Sequence, residues 1–133
     1  VENVDELYYL CLFSDLRVRS LRDLRSEHLP ELRRILDEVV PGLARKHGVL
    51  ATSLLAYVHY HPTFWYFHVH IVNSRHSVFN ADGMALAAMD RFHKLETVIA
   101  LLEANGEYYA SASLAILLPA PKAAKYKEAA SVS

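Results

Sequence analysis

The stretch that most constrains the fold is residues 64–71, which read FWYFHVHI. Aromatic and β-branched side chains are typical of a strand, and successive side chains on a strand point to opposite faces. The alternation separates two sets, which are Phe64, Tyr66, His68 and His70 on one face and Trp65, Phe67, Val69 and Ile71 on the other. The second set is wholly apolar, so we expect all of it to pack beneath helices, with Trp65 as a packing residue and not a base-stacking platform. The first set then presents two imidazoles away from the core.

The segments on either side of this strand complete the pattern of an α+β domain. The predicted elements are a strand over 6–13, an amphipathic helix over 27–47, a strand over 52–60, a strand over 64–72, a helix over 84–104 with Phe92 facing inward, and a strand over 109–118. We therefore expect an antiparallel sheet with two main helices packed on one face. One domain covers residues 1–119, and an Ala/Lys/Ser-rich tail covers residues 120–133.

Local signals predict three details of this architecture. The His-Pro-Thr sequence at 61–63 predicts a tight connection, which would make the two strands beside it an antiparallel hairpin. Pro41 lacks a backbone donor and should kink the long helix near Asp37. Gly48 should end that helix.

Composition excludes several classes of function. Fourteen Lys and Arg against 15 Asp and Glu give a net charge of −1, so binding of a polyanion through bulk positive charge is excluded. No apolar run reaches the ~18 residues of a membrane span, and no membrane partner is expected. The lone Cys11 excludes an internal disulfide framework and a Cys-rich zinc site, which fits a reducing, intracellular compartment.

Eight histidines are present, and five of them lie between positions 59 and 76. A neutral imidazole is a good nucleophile toward phosphorus, and its ordinary pKa of ~6.5 leaves most of it neutral at pH 7. A second, protonated imidazole can hydrogen-bond a phosphate or assist a departing oxygen. Phosphate oxygens could be held by Tyr57, His59, Thr63 and Arg91. No carboxylate occurs in residues 52–79, which argues against a hydrolase that uses two carboxylates.

Two other interpretations of the histidines remain open on spacing alone. His59, His68 and His70 could ligate zinc, although no nearby carboxylate is available to orient them. They could also pack with the neighbouring aromatic residues and have no chemical role.

Beyond these patterns, FHVHI at 67–71 resembles the core of the histidine-triad signature. The chain resembles most the scavenger mRNA-decapping enzymes, which hydrolyse the 7-methylguanosine cap on short capped fragments. The segments that carry the resemblance are RSLRDL at 19–24 with EHLP at 27–30, YVHYHP at 57–62 ahead of HVH at 68–70, and RFH at 91–93 ahead of ETVI at 96–99. It runs from about residue 6 to residue 118.

The resemblance implies a role for each matching residue. His68 takes the position of the nucleophile, which forms a covalent nucleotidyl-histidine, and His70 takes the position that binds phosphates and assists the leaving group. His59, Thr63 and Arg91 match positions that hold the phosphate chain. Members of this family are metal-independent homodimers, so no metal and no other cofactor is expected. The implied reaction acts on capped RNA fragments or a cap dinucleotide in the cytoplasm and nucleus, and it releases 7-methylguanosine monophosphate.

The chain also departs from the family pattern. Tyr66 occupies the first triad position and is a possible substitute for the histidine found there, while Phe64 stands where a tyrosine is common. The family's N-terminal domain has no counterpart, so the chain is expected to be a C-terminal catalytic fragment or a shortened relative. Two alternative functions follow, a general histidine-triad hydrolase of (di)nucleoside polyphosphates and a non-catalytic module that binds phosphate or RNA ends.

Overall fold

An antiparallel sheet of four strands, in the order β1–β3–β2–β4, organises the part of the chain that the structure describes. The structure is a computed structural model that describes residues 2–79 and 91–116. The strands are β1 (Tyr8–Leu12), β2 (Leu54–His59), β3 (His68–Asn73) and β4 (Phe92–Lys94). The helices are α1 (Leu29–Arg34), α2 (Val40–His47), α3 (Leu95–Ala104) and the single turn α4 (Tyr108–Ser111), and short 3₁₀ turns connect several of these elements.

The helices cover one face of the sheet, as the alternation in β3 predicts. Val69 and Ile71 are 0% and 1% exposed, and they belong to one core cluster with Leu32 of α1 and with Leu95 and Val98 of α3. Burial of these aliphatic side chains supplies the main driving force for the packing of helices on the sheet. The predicted α+β class, with an antiparallel sheet and helices on one face, is confirmed. None of the described helices is both long enough and apolar enough to span a bilayer.

The first helical segment runs from Leu29 to His47 and changes its geometry ahead of Pro41. A π-helical turn over Ile35–Val39 joins α1 to α2. Pro41 has no N–H to donate to the carbonyl of Asp37, so the i→i−4 hydrogen bonds of the α-helix are interrupted there. One turn of wider π-helix forms in their place. The predicted irregularity near Asp37 is therefore present as a π turn.

Gly48 ends α2 in the left-handed conformation, with φ of 67°. We expect Gly48→Ala to lower the free energy of unfolding by about 1 kcal/mol, because a Cβ disfavours this conformation. The matched control is Gly42→Ala inside α2, where the new Cβ would meet only Arg45 Nη2 at 3.9 Å. That substitution should instead stabilise the chain by about 0.5–1 kcal/mol. Urea unfolding of the two variants measures both effects, and equal signs would contradict the assignment of the helix end.

The two strands on either side of Pro62 pair antiparallel as predicted, with Tyr57 opposite His70, but the tight connection predicted at 61–63 is wrong. β3 begins at His68, so residues 60–67 form an irregular connection between β2 and β3. In this connection, Phe67 N–H donates to Val18 O at 3.1 Å and Phe67 O accepts from Phe13 N–H at 3.1 Å. These bonds pair the connection with the segment that follows β1, and not with β2. Trp65 is consequently 40% exposed, so its prediction as a packing residue is also wrong.

Two predictions for the C-terminal half are wrong as well. Phe92–Lys94, predicted as helix, forms the strand β4 because it pairs with Tyr57–His59 at the free edge of β2. Residues 109–118, predicted as a strand, begin with the α4 turn and continue through 112–116 without regular structure. Arg22 donates to the main-chain oxygens of Tyr109 and Ala112, groups that a strand would use for pairing. Residues 84–90 of the predicted helix, and the tail over 120–133, lie outside the described residues.

Candidate active site

His68 and His70 lie on the face of β3 opposite the helices, as predicted. Their antiparallel partners on β1 are Leu12 and Leu10, and Tyr57 of β2 pairs with His70. The expectation that both rings stand free of the interior is wrong, because His68 is 5% exposed and His70 is 6% exposed. Among the described residues, aromatic side chains and not helices contact the two rings on this face.

Three histidine rings form one cluster across β2 and β3. The ring centroids of His59 and His70 are 4.2 Å apart, and those of His68 and His70 are 4.9 Å apart. Strand pairing explains this approach, since neighbouring side chains on one face of a sheet lie about 5 Å apart. The structure therefore brings together three of the residues that the sequence singles out.

The tautomer of His68 follows from its hydrogen bond to the main chain. Nδ1 of His68 lies 2.6 Å from the main-chain carbonyl oxygen of Tyr66. A carbonyl oxygen can only accept, so Nδ1 carries the proton and donates it. In the neutral ring the lone pair then resides on Nε2. Phe64 stacks on the ring at 4.4 Å and 17°, which further fixes its orientation.

His70 is held between two tyrosines. Its Nδ1 lies 2.6 Å from the hydroxyl oxygen of Tyr8, and the ring of Tyr57 is parallel to it within 3° at 5.0 Å. When the hydroxyl of Tyr8 donates to Nδ1, the ring proton resides on Nε2. The Nε2 atoms of His70 and His59 are both buried and have no hydrogen-bond partner within residues 2–79 and 91–116. Two buried polar atoms without partners in one cluster point to a site built to receive a polar ligand.

Burial keeps two of the three rings neutral. It lowers the pKa of His70 to about 3, with a further contribution from the neighbouring His59, His68 and Arg91. Burial likewise lowers the pKa of His59 to about 4, helped by Arg91. At neutral pH neither imidazole carries a charge, so the cluster contains no mutual repulsion before a ligand arrives.

This burial predicts a dependence of stability on pH. The unfolded chain binds a proton at each histidine near pH 6.5, whereas folded His70 binds one only near pH 3. The unfolded state therefore holds more protons at pH 5, and the free energy of unfolding should fall as the pH falls from 7 to 5. His70 alone accounts for about 2 kcal/mol of this loss. Urea titrations at several pH values measure it, and His70→Asn should show a shallower slope than the wild type; equal slopes would contradict the burial of this group.

Arg91 supplies positive charge next to the cluster. Its Nη2 donates to the main-chain oxygen of His61 at 2.9 Å, and its buried Nε has no partner among the described residues. The ion pairs found in this part of the chain do not include Arg91. A partly buried guanidinium with no carboxylate partner among the described residues favours a bound anion such as a phosphate.

The other two predicted residues are placed less directly. Thr63 is exposed in the connection between β2 and β3, and no hydrogen bond joins its side chain to the described residues. The hydroxyl of Tyr66 donates to the main-chain oxygen of Phe13 at 2.9 Å. Tyr66 contacts His68 through its main-chain carbonyl, which any residue at this position would provide.

Sequence reasoning missed two residues that shape the cluster. Tyr8 reaches His70 from 62 positions away, and only the pairing of β1 with β3 brings the two together. Phe92 stacks on Tyr57 at 4.4 Å and on His59 at 4.8 Å, because it belongs to β4 and not to the inward face of a helix. The alternation of Tyr8 with Leu10 and Leu12 shows which face of β1 Tyr8 occupies. It does not show how β1 is aligned with β3.

The space beside His68 is small. A cavity of about 10 Å³ is lined by Arg19, Ser20, Val58, His59, Pro62, Tyr66, Phe67 and His68. This volume holds about one water molecule and is too small for a phosphate. One wall of the cavity belongs to the connection over His68, which is formed by residues 60–67. The described residues contain no group of three His, Cys, Asp or Glu side chains arranged to hold a metal ion.

Comparison with known proteins places this geometry in context. A family model described as scavenger mRNA decapping enzyme C-term binding matches residues 1–84. The chain is 37% identical over 119 residues to an m7GpppX diphosphatase of Bos taurus. This match covers 90% of this chain and 34% of that protein. The m7GpppX diphosphatase of Homo sapiens is 33% identical over 119 residues, with the same coverage, and that of Caenorhabditis elegans is 29% identical over 113 residues, 85% of this chain and 34% of that protein. The chain spans about a third of the length of these curated relatives.

Proposed function

The chain belongs to the family of C-terminal domains of scavenger mRNA-decapping enzymes, and we propose that it hydrolyses the 5′–5′ triphosphate of 7-methylguanosine caps on short capped RNA fragments. Its antiparallel sheet with helices on one face is the histidine-triad-like fold of this family. Several curated relatives carry the name m7GpppX diphosphatase, which supports hydrolysis of a phosphoric anhydride bond as the reaction class.

The observation that carries the proposal is the hydrogen bond from Nδ1 of His68 to the carbonyl oxygen of Tyr66. It leaves the lone pair on Nε2, the atom that would attack phosphorus. It also provides an acceptor next to Nδ1 when the ring becomes positively charged in the covalent intermediate. An oriented acceptor of this kind raises the basicity of the imidazole and fixes its direction.

The proposed reaction has two balanced steps. In the first, the lone pair of His68 Nε2 forms a P–N bond to the phosphorus next to 7-methylguanosine. The P–O bond to the bridging oxygen breaks, and its electron pair leaves with the diphosphate of the remaining RNA. In the second, water attacks the same phosphorus and gives up a proton to solvent, while the P–N bond breaks and its electron pair returns to Nε2. The products are 7-methylguanosine monophosphate and an RNA fragment with a 5′ diphosphate.

The neighbouring groups have separate roles in this scheme. An Nε2–H of His70 would hydrogen-bond the departing oxygen, because this atom has no partner among the residues that the structure describes. His59 Nε2 and the guanidinium of Arg91 would hold the other phosphate oxygens, and Thr63 would join them when the connection over His68 shifts. The negative charge of the phosphate chain raises the pKa of a nearby imidazole, which counters the effect of burial.

Mass spectrometry of the intact chain after brief mixing with a cap dinucleotide tests the proposal. We expect a transient mass increase of one 7-methylguanosine monophosphate less one water, located on the peptide that contains His68 and lost in mild acid. Binding without an adduct or turnover would instead indicate a non-catalytic module. Equal turnover of an unmethylated dinucleoside polyphosphate would indicate a general hydrolase, and loss of activity on adding a chelator would indicate a metal site.

Tyr66 provides a test of which part of that residue serves His68. We expect Tyr66→Phe to lower the free energy of unfolding by about 1 kcal/mol, because the bond to Phe13 is lost. Turnover should stay within about threefold of the wild type, since the carbonyl that orients His68 is unchanged. Urea unfolding and initial rates measure the two effects. A hundredfold fall in turnover would show that the hydroxyl itself takes part in the reaction, and Tyr66→His would then compare it with an imidazole.

We also propose that the chain acts as a homodimer in the cytoplasm and nucleus. Leu10 and Leu12 lie on the edge strand β1 and are 45% and 57% exposed, which supports self-association. Sedimentation equilibrium tests the dimer, and a fluorescent fusion tests the compartment.

A further inference from the structure

Trp65 lies at the surface next to the histidine cluster. It is 40% exposed, and its ring meets the ring of His61 edge to face, with centroids 4.7 Å apart and planes at 89°. It follows directly on Phe64, which stacks on His68. An exposed indole beside a phosphate site is available for contact with the part of a nucleotide that lies beyond the phosphates.

A shallow depression of about 370 Å³ begins at Trp65 and is also lined by Arg19, Ser20, Arg22 and Asp23. Arg19 and Ser20 line the small cavity beside His68 as well. The depression and the cavity are therefore adjacent, with the same two residues between them. Its volume falls in the range of about 300–1,000 Å³ that is typical of small-ligand sites.

Main-chain bonds hold the two walls of the depression in place. The bond from Phe67 N–H to Val18 O joins the connection that carries Trp65 to the segment that carries Arg19. The carboxylate of Asp23 accepts from the main-chain N–H of Arg19 at 2.8 Å and from that of Ser20 at 3.3 Å. Its negative charge is thus partly compensated within the turn, and it does not pair with the side chain of Arg19.

The guanidinium of Arg19 is the group in this depression that remains available. It is exposed and makes no hydrogen bond or ion pair with the side chains or main chain of residues 2–79 and 91–116. Arg22, in contrast, donates to the hydroxyl of Tyr60 and to the main-chain oxygens of Tyr109 and Ala112. A free guanidinium next to an exposed indole is the combination on which a nucleobase stacks, because both offer a planar face.

We propose that Trp65 and Arg19 form a subsite for a nucleobase of the substrate, adjacent to the phosphates held by the histidine cluster. This inference rests on the proposed function and names a part of the substrate that the cluster itself does not contact. The base could be the methylated guanine of the cap or the base on the departing diphosphate. Both have the planar chemistry that the subsite recognises.

The single tryptophan of the chain makes the test specific, since its fluorescence reports on Trp65 alone. Titration with 7-methylguanosine monophosphate and, separately, with guanosine diphosphate should quench this fluorescence by about half with at least one of the two. Which of them quenches identifies the base. Inorganic triphosphate should leave the fluorescence within about 10% of its starting value. Hydrolysis of a cap dinucleotide without quenching by either product would overturn the subsite but leave the proposed function standing.

Variants separate the subsite from general effects on the fold. Trp65→Ala should raise the KM for a cap dinucleotide about tenfold with little change in kcat. Trp65→Phe should bring the KM most of the way back to the wild-type value.

Arg19→Ala should weaken binding of the quenching nucleotide about 5- to 10-fold. Its matched control is Arg17→Ala, because Arg17 is exposed but paired with Asp15 at 2.9 Å outside the depression. Equal affinities for the Arg19 and Arg17 variants, or an unchanged KM for Trp65→Ala, would overturn the inference. If the wild type neither binds nor cleaves the dinucleotide, the proposed function fails instead.

Discussion

Replacement of His68 by Asn should lower the turnover of a cap dinucleotide by at least about 10⁴-fold, because the proposed nucleophile is removed. The fold should be retained, since the Asn amide can still donate to the carbonyl of Tyr66. Single-turnover hydrolysis followed by chromatography measures the rate, and far-ultraviolet circular dichroism with urea unfolding measures the fold. No adduct should form on the variant in the mass spectrometry experiment.

A matched control comes from the far end of α2. His47 bonds to the hydroxyl of Tyr9 and to Glu2 and lies outside the cluster. His47→Asn should therefore leave turnover within about twofold, although it loses two polar contacts. If His68→Asn retained more than a tenth of the wild-type rate, the nucleophile would have to be assigned elsewhere.

The second large effect is expected at His70. His70→Asn should reduce turnover by about 10²–10³-fold, the range for loss of a group that assists a departing oxygen. Tyr8→Phe removes the hydroxyl that lies 2.6 Å from His70 Nδ1 and should reduce turnover by about tenfold. Steady-state rates of both single variants and of the double variant provide the measurement.

The double variant distinguishes a positioning role for Tyr8 from a purely structural one. If Tyr8 acts through His70, the double variant should be no slower than His70→Asn, so the two effects do not add. Additive losses would show that Tyr8 affects turnover by another route. The pH profile of Tyr8→Phe should also shift if the hydroxyl tunes His70, whereas a loss of packing alone would leave the profile unchanged.

The arrangement of the two faces of β3 could be predicted because side-chain alternation is a local property. Val69 and Ile71 pack beneath the helices, and His68 and His70 lie on the opposite face, as the alternation indicates. The end of the long helix at Gly48 was equally predictable, since a residue that tolerates positive φ is a local requirement.

Elements whose state depends on distant partners could not be predicted. Phe92–Lys94 continues a helical pattern in sequence, yet pairing with Tyr57–His59 makes it a strand. The connection over 64–67 alternates like a strand, yet it bonds to the segment after β1, and this exposes Trp65. In both cases a hydrogen-bonding partner remote in sequence outweighs the local preference.

The residue pattern and the family match determined by themselves which histidines form the candidate site and on which face of the sheet they lie, because both depend on spacing along one strand. Only the tertiary structure decided that these rings are buried, that His68 holds its proton on Nδ1, and that Tyr8 and Arg91 adjoin the cluster. The physical reason is that burial, tautomer and pKa are set by neighbouring atoms, and those neighbours come from β1, β4 and the connection over His68 through pairings that no local pattern encodes.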